Sequence, residues 1–363
     1  MKKIVIVAGD KSGDIYGGFL CKKLKEKYHS LEIISFGGSH LAQHSQQKID
    51  LTEHAVSGLF EVLRTLPRIL KLFKETLRQI NEIKPDLVIT IDFPDFNMRL
   101  IRALNKRFPV FYYISPQVWA WRKGRVATLK EYVDKMIVIF KFEEAFYKKE
   151  GMDVLYFGHP LLEIITTKPA ACKKIISFMP GSRKNEIARH LPLMIAAMDL
   201  LKKKLPDHSF RIIRPSNIEK GFYTKVFPDI EVVDHSYQAL AESAFIITSS
   251  GTATVEIAIL EVPFLIIYKV NALTWRLLKG LVDTKFAGMV NILAQRMVIR
   301  ELLQSEASPK KISGTALEYL TDEAKYNRLK GELKEIKKIV SPYGATEKFA
   351  QYIADYLRLS AQA

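Results

Sequence analysis

The sequence comprises 363 residues, which is long for one domain and ordinary for two. Its 48% hydrophobic and 26% charged residues are enough for buried cores and exclude extensive disorder. The 55 basic and 39 acidic residues give a net charge of +16, which favours an anionic partner: nucleic acid, an anionic membrane or a phosphorylated small molecule.

The first residues, MKKIVIVAGD, begin like a signal peptide, but the apolar run stops at Gly9 and Asp10, too early for a signal sequence. No apolar stretch is long enough for a transmembrane helix. Cys21 and Cys172 lie outside any disulfide or metal-binding spacing. These features predict a cytoplasmic protein.

Short apolar runs alternate with helical patterns along the chain. The predicted strands are 3–8, 32–36, 86–91, 110–114, 135–140 and 154–157, then 174–179, 209–213, 230–233, 244–249 and 263–268. Near-continuous apolar strands separated by helices predict parallel sheets covered on both faces. We therefore expect two doubly wound α/β domains, with ligands at the carboxyl ends of strands in a central cleft.

A change in composition near residues 163–173, EIITTKPAACK, separates the two series of strands. It predicts an N-terminal domain of residues 1–168 and a second domain of residues 169–340. Residues 341–363 contain a final amphipathic helix after a Pro-Tyr-Gly break. We expect this helix to pack back on an N-terminal domain.

The loop after the first strand reads AGDKSGD (8–14). Gly9 and Gly13 permit tight turns and close backbone approach, and Ser12 or Asp14 is expected to cap the next helix. The pattern is not the GxGxxG of dinucleotide sites. Two interpretations stay open: a simple strand–helix turn, or a contact with an acceptor or a phosphate.

The loop IDFPDFN (91–97) places Asp92 and Asp95 at the carboxyl end of a strand, stiffened by Pro94. A carboxylate in this position can take a proton from a hydroxyl nucleophile. We expect Asp92 to do so and Asp95 to cap the following helix.

Residues 112–125, YYISPQVWAWRKGR, carry two of the three tryptophans of the chain, Trp119 and Trp121. Either ring can stack on a sugar or lie beside acyl chains, while Arg122 and Arg125 meet a phosphate. The other interpretation is packing in the domain core. We expect one ring to be buried and the other exposed.

Two loops of the second half suit anions. In MPGSRKNEI (179–187), Ser182 is expected to cap a helix whose N-terminus and Arg183 bind phosphate oxygens; the alternative is a solvated arginine. In TSSGTATVE (248–256), Glu256 either binds a ribose hydroxyl or lies on the surface. In the same loop, the backbone N–H groups of Ser250, Gly251 and Thr252 can bind a pyrophosphate.

Between Leu63 and Ile80, apolar residues recur at helical spacing with basic residues opposite, and Pro67 is expected in the first turn. Two interpretations are open: the apolar face packs on the core and the basic face points to solvent, or the helix lies on an anionic membrane. In the second interpretation the membrane-facing residues are Arg64, Arg68, Leu70, Lys71, Phe73 and Lys74.

The eight histidines show no metal-ligand spacing. His40 and His44 are four residues apart, but no third ligand follows. We expect neither a metal nor a cofactor.

The motifs AGDKSGD, IDFPDFN, YYISPQVWAWR, GHPL (158–161), PGSRKNEI and SSGTATVE together resemble the lipid-A-disaccharide synthases, from about residue 4 to the C-terminal region. SPQVWAWR is the most specific of them, whereas PGSR and SGTA occur in other GT-B enzymes. The resemblance implies a GT-B fold with two Rossmann-like domains facing a central cleft and an inverting glycosyl transfer.

The reaction implied by this resemblance joins UDP-2,3-diacylglucosamine to 2,3-diacylglucosamine 1-phosphate (lipid X). The products are a β(1→6)-linked disaccharide 1-phosphate and UDP. The resemblance also implies a peripheral enzyme on the inner leaflet of the inner membrane of Gram-negative bacteria. A homodimer that exchanges its C-terminal helix is a further hypothesis.

By the same resemblance, Asp92 matches the essential aspartate, the proposed base, and Arg183 matches the essential arginine. Glu256 resembles a ribose contact. Asn291, in MVNILA, matches an asparagine that normally follows proline, although Val290 precedes it here.

Asp10 replaces the usual glutamate of the first loop and is one methylene shorter. The residues of the first loop and of the tryptophan motif that we expect to contact the acceptor or to shape the first loop are Asp10, Ser12, Gly13, Trp119, Trp121 and Arg122.

Two rival functions follow from the sequence. Another GT-B activity on UDP-N-acetylglucosamine, such as a nonhydrolysing epimerase, would share the strand-end motifs. A basic nucleic-acid-binding protein would explain the charge, but needs aromatic residues interleaved with Lys and Arg along one face. Because the motifs follow strand ends instead, we expect no nucleic-acid partner.

Overall fold

The computed structural model describes residues 1–52, 59–168, 174–225, 227–271, 275–276 and 284–359, with the side chains of 59–66 outside the description. The chain divides into two compact units. The first unit combines Met1–Ile164 with Val340–Ala363, and the second is Ile165–Ile339.

A seven-stranded parallel sheet forms the centre of the first unit. Its strands are β1 (Lys2–Ala8), β2 (Leu31–Phe36), β3 (Gln46–Ile49), β4 (Leu87–Ile91), β5 (Val110–Tyr113), β6 (Lys135–Val138) and β7 (Leu155–Tyr156). Their order is β3-β2-β1-β4-β5-β6-β7, so the direction in which strands are added reverses between β1 and β4. Such a reversal opens a crevice at the carboxyl ends of the two strands.

The central strands are apolar on both faces because helices cover both sides of the sheet. Ile4, Val5, Ile6 and Val7 of β1 are all fully buried. The helices of this unit that precede the second unit are α1 (Lys11–Lys27), α2 (Ser39–Ala42), α3 (Leu59–Ile83), α4 (Pro94–Leu104), α5 (Arg125–Tyr132), α6 (Lys141–Lys149) and α7 (Leu161–Ile164).

The described part of α3 runs through Pro67, so the expectation that this proline lies in the first turn is wrong. A proline inside a helix leaves a carbonyl of the preceding turn without its donor. Pro67 itself is exposed.

The second unit repeats the same strand order. Its six-stranded parallel sheet has the order β10-β9-β8-β11-β12-β13, with the reversal between β8 and β11. The strands are β8 (Ile175–Met179), β9 (Ser209–Arg214), β10 (Glu231–Asp234), β11 (Phe245–Ser249), β12 (Phe264–Tyr268) and β13 (Glu301–Leu303). The helices are α8 (Lys184–Lys202), α9 (Gly221–Thr224), α10 (Tyr237–Ala241), α11 (Ala253–Ile259), α12 (Met289–Ala294), α13 (Pro309–Thr321) and α14 (Glu323–Ile339).

The last helix, α15 (Ala345–Leu357), packs on the first unit of its own chain. The buried ring of Phe349 lies 4.7 Å from that of Tyr113 in β5. The carboxylate of Glu163 accepts a hydrogen bond of 2.9 Å from the backbone N–H of Thr346. The two ends of the sequence therefore build one folded unit.

None of the helices in the described ranges is both long and apolar enough to cross a membrane.

Candidate active site

The strand register places Asp92 between the two other motif loops of the first unit. Ile91 pairs with Ala8 of β1 on one side and with Tyr113 of β5 on the other. Asp92 therefore leaves the sheet between AGDKSGD and SPQVWAWR, at the reversal point where ligands of such sheets bind.

Asp92 begins a strained turn. Asp92 and Phe93 both adopt left-handed conformations, with φ of 43° and 47°, which cost about 1 kcal/mol or more for a residue other than glycine. Two buried side chains hold the turn: the Tyr112 hydroxyl and the Asn97 amide donate hydrogen bonds of 2.7 and 2.8 Å to the carbonyl oxygen of Asp92. These bonds fix the backbone of Asp92, and with it the point from which the Asp92 side chain extends.

The surroundings of Asp92 favour its protonated form. Burial raises the pKa of this carboxyl well above its ordinary value, and the negative charge of Asp10 raises it further. The backbone N–H of Phe93 opposes this shift, and Glu143 adds to it. A carboxylate with a raised pKa is a stronger base and therefore accepts a proton from a hydroxyl group more readily.

Asp10, rather than Ser12 or Asp14, caps α1. Its Oδ1 atom accepts hydrogen bonds from the Gly13 N–H at 2.6 Å and the Ser12 hydroxyl at 3.1 Å. The prediction that Ser12 or Asp14 caps this helix was therefore wrong. Asp10 lies directly before the first helical residue, and from there its side chain reaches these donors. Asp14 is buried and instead accepts from the backbone N–H groups at the start of α2, including that of Gly38 at 2.8 Å.

Gly9 lets the first loop meet the Asp92 turn. A Cβ atom at Gly9 would lie 2.1 Å from the ring of Phe93, far inside van der Waals contact. The glycine predicted to allow close approach therefore does so, and its partner is the aromatic ring that follows Asp92.

Asp95 does not cap α4, contrary to expectation. The cap position is taken by Phe93, in a left-handed conformation without a side-chain hydrogen bond, and Asp95 lies inside the first turn. Its Oδ1 atom accepts from Arg122 at 3.0 Å and also from Arg125. Burial acts to raise the pKa of Asp95, but Arg125 and Arg122 outweigh it and lower that pKa below its usual value.

The two tryptophans of the SPQVWAWR loop differ in burial: Trp119 is buried, as predicted for one of them, but Trp121 is partly buried rather than exposed. Trp119 is 9% exposed, and its indole N–H donates to Glu143 at 3.2 Å. Trp121 is only partly buried, with the Arg122 guanidinium 4.1 Å from the centre of its ring. Trp119 therefore anchors the loop, and Trp121 lies beside Arg122.

Glu143, in the first turn of α6, is a functional candidate that the sequence analysis missed. Besides Trp119 it accepts from the backbone N–H of Phe140 at 3.1 Å, and burial raises its pKa to about 7. Its one sequence signal is its place three residues after the helix boundary, where a carboxylate reaches back to free N–H groups. Its burial against Trp119 depends on tertiary packing.

In the second unit, β8 and β11 are adjacent, so PGSR and SSGTA start side by side. The side chain of Arg183 is 59% exposed and forms an ion pair of 3.2 Å with Glu186. Contrary to expectation, Ser182 does not cap α8: Arg183 holds the cap position, and the Ser182 N–H donates to Glu186. Glu186 thus folds back over the loop and leaves the guanidinium at the surface.

A buried histidine fixes the PGSR loop. His190 accepts at Nε2 from the Lys269 N–H at 3.0 Å, so its Nδ1–H donates to the Pro180 carbonyl at 2.8 Å. Burial lowers the pKa of His190 and favours this neutral form. The histidine joins the loop after β8 to the end of β12, a contact that the sequence does not reveal.

The SSGTA loop is held by the segment that precedes α12, since the Ser250 hydroxyl donates to the Ala287 carbonyl at 2.7 Å. In the part of the chain that the structure describes, the Gly251 and Thr252 N–H groups donate no hydrogen bond to a backbone carbonyl in a turn, loop or cap. Glu256 is 9% exposed, and one carboxylate oxygen is 2.9 Å from Nε2 of His235. Glu256 is thus not a surface residue.

Asn291 does not present its amide to a ligand in this structure. It is fully buried, donates to Ile299 and Glu301 at 2.7 Å each, and accepts from the N–H groups of Val298 and Ile299 at 2.8 Å each. These four bonds use the whole capacity of an amide. The expected contact with UDP therefore finds no support, and Asn291 instead holds the start of α12, where Val290 is buried.

The candidate membrane residues divide between two environments. Arg68, Lys71 and Lys74 are exposed, and Leu70 is 43% exposed. Phe73 was wrongly included, because it packs into the core with its ring 5.4 Å from that of Phe96. The side chain of Arg64 lies outside the described residues.

Two Rossmann-like parallel sheets with polar loops at their reversal points define an α/β enzyme of the GT-B class, as predicted. In fold the chain is similar to S. aureus MnaA in a co-structure with UDP, at a TM-score of 0.70 and 16% identity, covering 99% of this chain and 98% of that one. It is also similar to the kitacinnamycin glycotransferase, at a TM-score of 0.62 and 13% identity, covering 99% of both chains. At these identities the likeness establishes the fold alone.

Sequence relatives narrow this class to one family. The model of the lipid-A-disaccharide synthetase family matches residues 4–351. The chain is 36% identical to the lipid-A-disaccharide synthase of Geobacter sulfurreducens, covering 98% of this chain and 97% of the relative. It is 34% identical to that of Syntrophus aciditrophicus, covering 96% of each. The chain belongs to the lipid-A-disaccharide synthetase family and is a glycosyltransferase of lipid A disaccharide synthesis.

Substitution of Gly9 by alanine is expected to lower kcat about tenfold or more, because the new methyl group displaces Phe93 and with it Asp92. Steady-state kinetics would measure the effect. Gly124→Ala is the matched control, because a Cβ there meets no atom within 4 Å. Equal rates for the two variants would contradict the contact between the first loop and the Asp92 turn.

Proposed function

We propose that the chain transfers 2,3-diacylglucosamine from its UDP donor to the 6-hydroxyl of 2,3-diacylglucosamine 1-phosphate, forming the β(1→6) disaccharide 1-phosphate and UDP. The observation that carries the proposal is Asp92, a carboxylate with a raised pKa fixed at the reversal point of the N-terminal sheet. In this proposal the first unit binds the acceptor and the second binds the donor.

The proposed chemistry is a single displacement with inversion. The acceptor hydroxyl attacks the anomeric carbon of the donor, its proton passes to Asp92, and the bond to UDP breaks. Arg183 and the N–H groups of the SSGTA loop stabilise the negative charge that develops on UDP. Glu256 accepts a hydrogen bond from the ribose, with His235 holding its other side.

Replacing Asp92 by asparagine should lower kcat by about 100-fold or more, because the amide cannot accept the proton. Product formation would be followed by mass spectrometry with both lipid substrates and EDTA present. Asp86→Asn is the control: Asp86 accepts from the Lys3 N–H just before β4, at the opposite end of that strand from Asp92.

Full activity in Asp92→Asn would remove Asp92 from its role while leaving the reaction. If the unaltered protein forms no disaccharide and instead epimerises UDP-N-acetylglucosamine alone, the proposed reaction is wrong.

Asp10→Asn should shift the acid limb of the kcat/KM profile to lower pH. The limb marks protonation of Asp92, and loss of the neighbouring negative charge lowers the pKa of Asp92. Asparagine remains a good cap for α1, so the change tests charge rather than folding. If the acid limb of the kcat/KM profile stays at the same pH, and thermal unfolding is also unchanged, Asp10 does not set the pKa of Asp92.

We also propose that α3 attaches the enzyme peripherally to the inner leaflet of the inner membrane. Support comes from an exposed leucine, Leu70, among three exposed cations, Arg68, Lys71 and Lys74. Anionic lipid attracts each such cation with about 1 kcal/mol.

Replacing Arg68, Lys71 and Lys74 together by glutamate should therefore weaken binding to anionic phospholipid vesicles by about 100-fold or more, as measured by sedimentation. The control reverses three basic residues of α14: Arg328, Lys334 and Lys338. Equal weakening by both triple variants would mean that binding follows net charge alone.

A further inference from the structure

Two arginines of the first unit converge on a single carboxylate oxygen. Nη1 of Arg122 lies 3.0 Å from Oδ1 of Asp95, and Nη2 of Arg125 donates to the same oxygen. Two positive groups held this close repel each other, and one carboxylate neutralises only half of their charge. The cluster therefore carries a net charge of about +1 that a second anion would neutralise.

Arg122 is held in place by more than this ion pair. Its backbone is left-handed, with φ of 58°, and its guanidinium lies 4.1 Å from the centre of the Trp121 ring. The side chain of Asp95 is 71% exposed, and ion pairs at such exposure contribute little to stability. The ion pair alone does not account for a strained backbone, whereas strain of this kind is concentrated where ligands bind.

The donors of the cluster suit a phosphomonoester. A guanidinium has five N–H groups in a planar fork, and Asp95 takes one from each arginine. The remaining N–H groups can form paired hydrogen bonds with the oxygens of a doubly charged phosphate. The Arg125 side chain is 21% exposed and that of Arg122 is 47% exposed, so both can be reached from solvent.

The cluster also lies next to the proposed base. Asp95 is three residues beyond Asp92, in the first turn of α4, and the arginines follow β5, the strand beside β4. A phosphate on the arginines would place the rest of its ligand near the Asp92 carboxylate. The anion-binding groups assigned to the pyrophosphate of the donor, by contrast, belong to the second unit.

We propose that Arg122 and Arg125 bind the 1-phosphate of the acceptor sugar, and that Asp95 holds the two guanidiniums in position before the acceptor arrives. This inference rests on the proposed function, since it takes the acceptor to be a sugar phosphate whose hydroxyl meets Asp92. Trp121 supports Arg122 from one face and so contributes to the same subsite.

The test compares two acceptors: 2,3-diacylglucosamine 1-phosphate and its 1-O-methyl glycoside, which lacks the phosphate. For Arg125→Ala we expect the KM of the phosphorylated acceptor to rise about tenfold or more, since a hydrogen bond between charged groups is lost. The KM of the methyl glycoside and that of the donor should change less than about twofold. Arg125→Lys keeps the positive charge but lacks the planar fork of N–H donors. Its KM for the phosphorylated acceptor should therefore lie between those of the unaltered protein and Arg125→Ala.

Arg107→Ala is the control, because this exposed arginine follows the C-terminal end of α4, away from Asp92. An equal rise in KM for both acceptors would overturn the proposal and make Arg125 a support for the loop. A rise in the donor KM alone would assign the cluster to the pyrophosphate. Unchanged kinetics with weaker binding to anionic vesicles would assign it to lipid headgroups.

The two proposals fail in different ways. If the unaltered protein forms no disaccharide from the phosphorylated acceptor, the proposed reaction itself is wrong. If it forms the disaccharide while Arg125→Ala and Arg122→Ala, both folded by thermal unfolding, keep its preference for the phosphorylated acceptor, only the phosphate subsite is wrong.

Discussion

Parallel pairing of strands that are buried on both faces is the constraint on which the rest of this molecule depends. Parallel strands end at one edge of a sheet, and helices on both faces leave that edge as the place where loops reach solvent. In each unit the strand order reverses at the first strand, so the two most informative loops become neighbours. Residues more than 80 positions apart, such as Asp10 and Asp92, are brought together by this pairing.

At the reversal point of the first unit, packing and chemistry are combined in the same residues. The left-handed turn at Asp92 is unfavourable by itself, and the buried donors Tyr112 and Asn97 make it stable. Without the turn the buried Tyr112 hydroxyl would lose the Asp92 carbonyl as its acceptor, and the Asn97 amide would keep only its bond to the Ile91 carbonyl. The same dependence links Glu143 and Trp119, whose hydrogen bond connects the first turn of α6 to the loop after β5.

The sequence predicted the central strands because burial on both faces leaves long apolar runs, as in β1 and β4. It did not predict β3, whose sequence QQKI is polar because the strand is partly exposed at the edge of the sheet. Motif loops were also found, since glycine, proline and carboxylates stand out after apolar runs. The fold class and the family thus followed from local patterns.

The parts of the site that escaped prediction depend on contacts between distant segments. Caps were assigned wrongly at Ser12, Ser182 and Asp95, because several polar residues lie near each helix start and only the path of the backbone selects among them. Asn291 was expected to bind a ligand, yet its partners lie on residues 298–301, after the turn that follows α12. His190 gives no sequence signal, because its partners lie 10 and 79 residues away.

The packing of α15 on the first unit has a consequence for biosynthesis. The second unit is one continuous segment, Ile165–Ile339, whereas the first requires both Met1–Ile164 and Val340–Ala363. As the chain leaves the ribosome, the second unit can fold completely while the rings of Phe111 and Tyr113 still lack Tyr356 and Phe349. The unit that carries Asp92 is begun first and completed last, and its exposed aromatic surface needs protection from aggregation until α15 has been made.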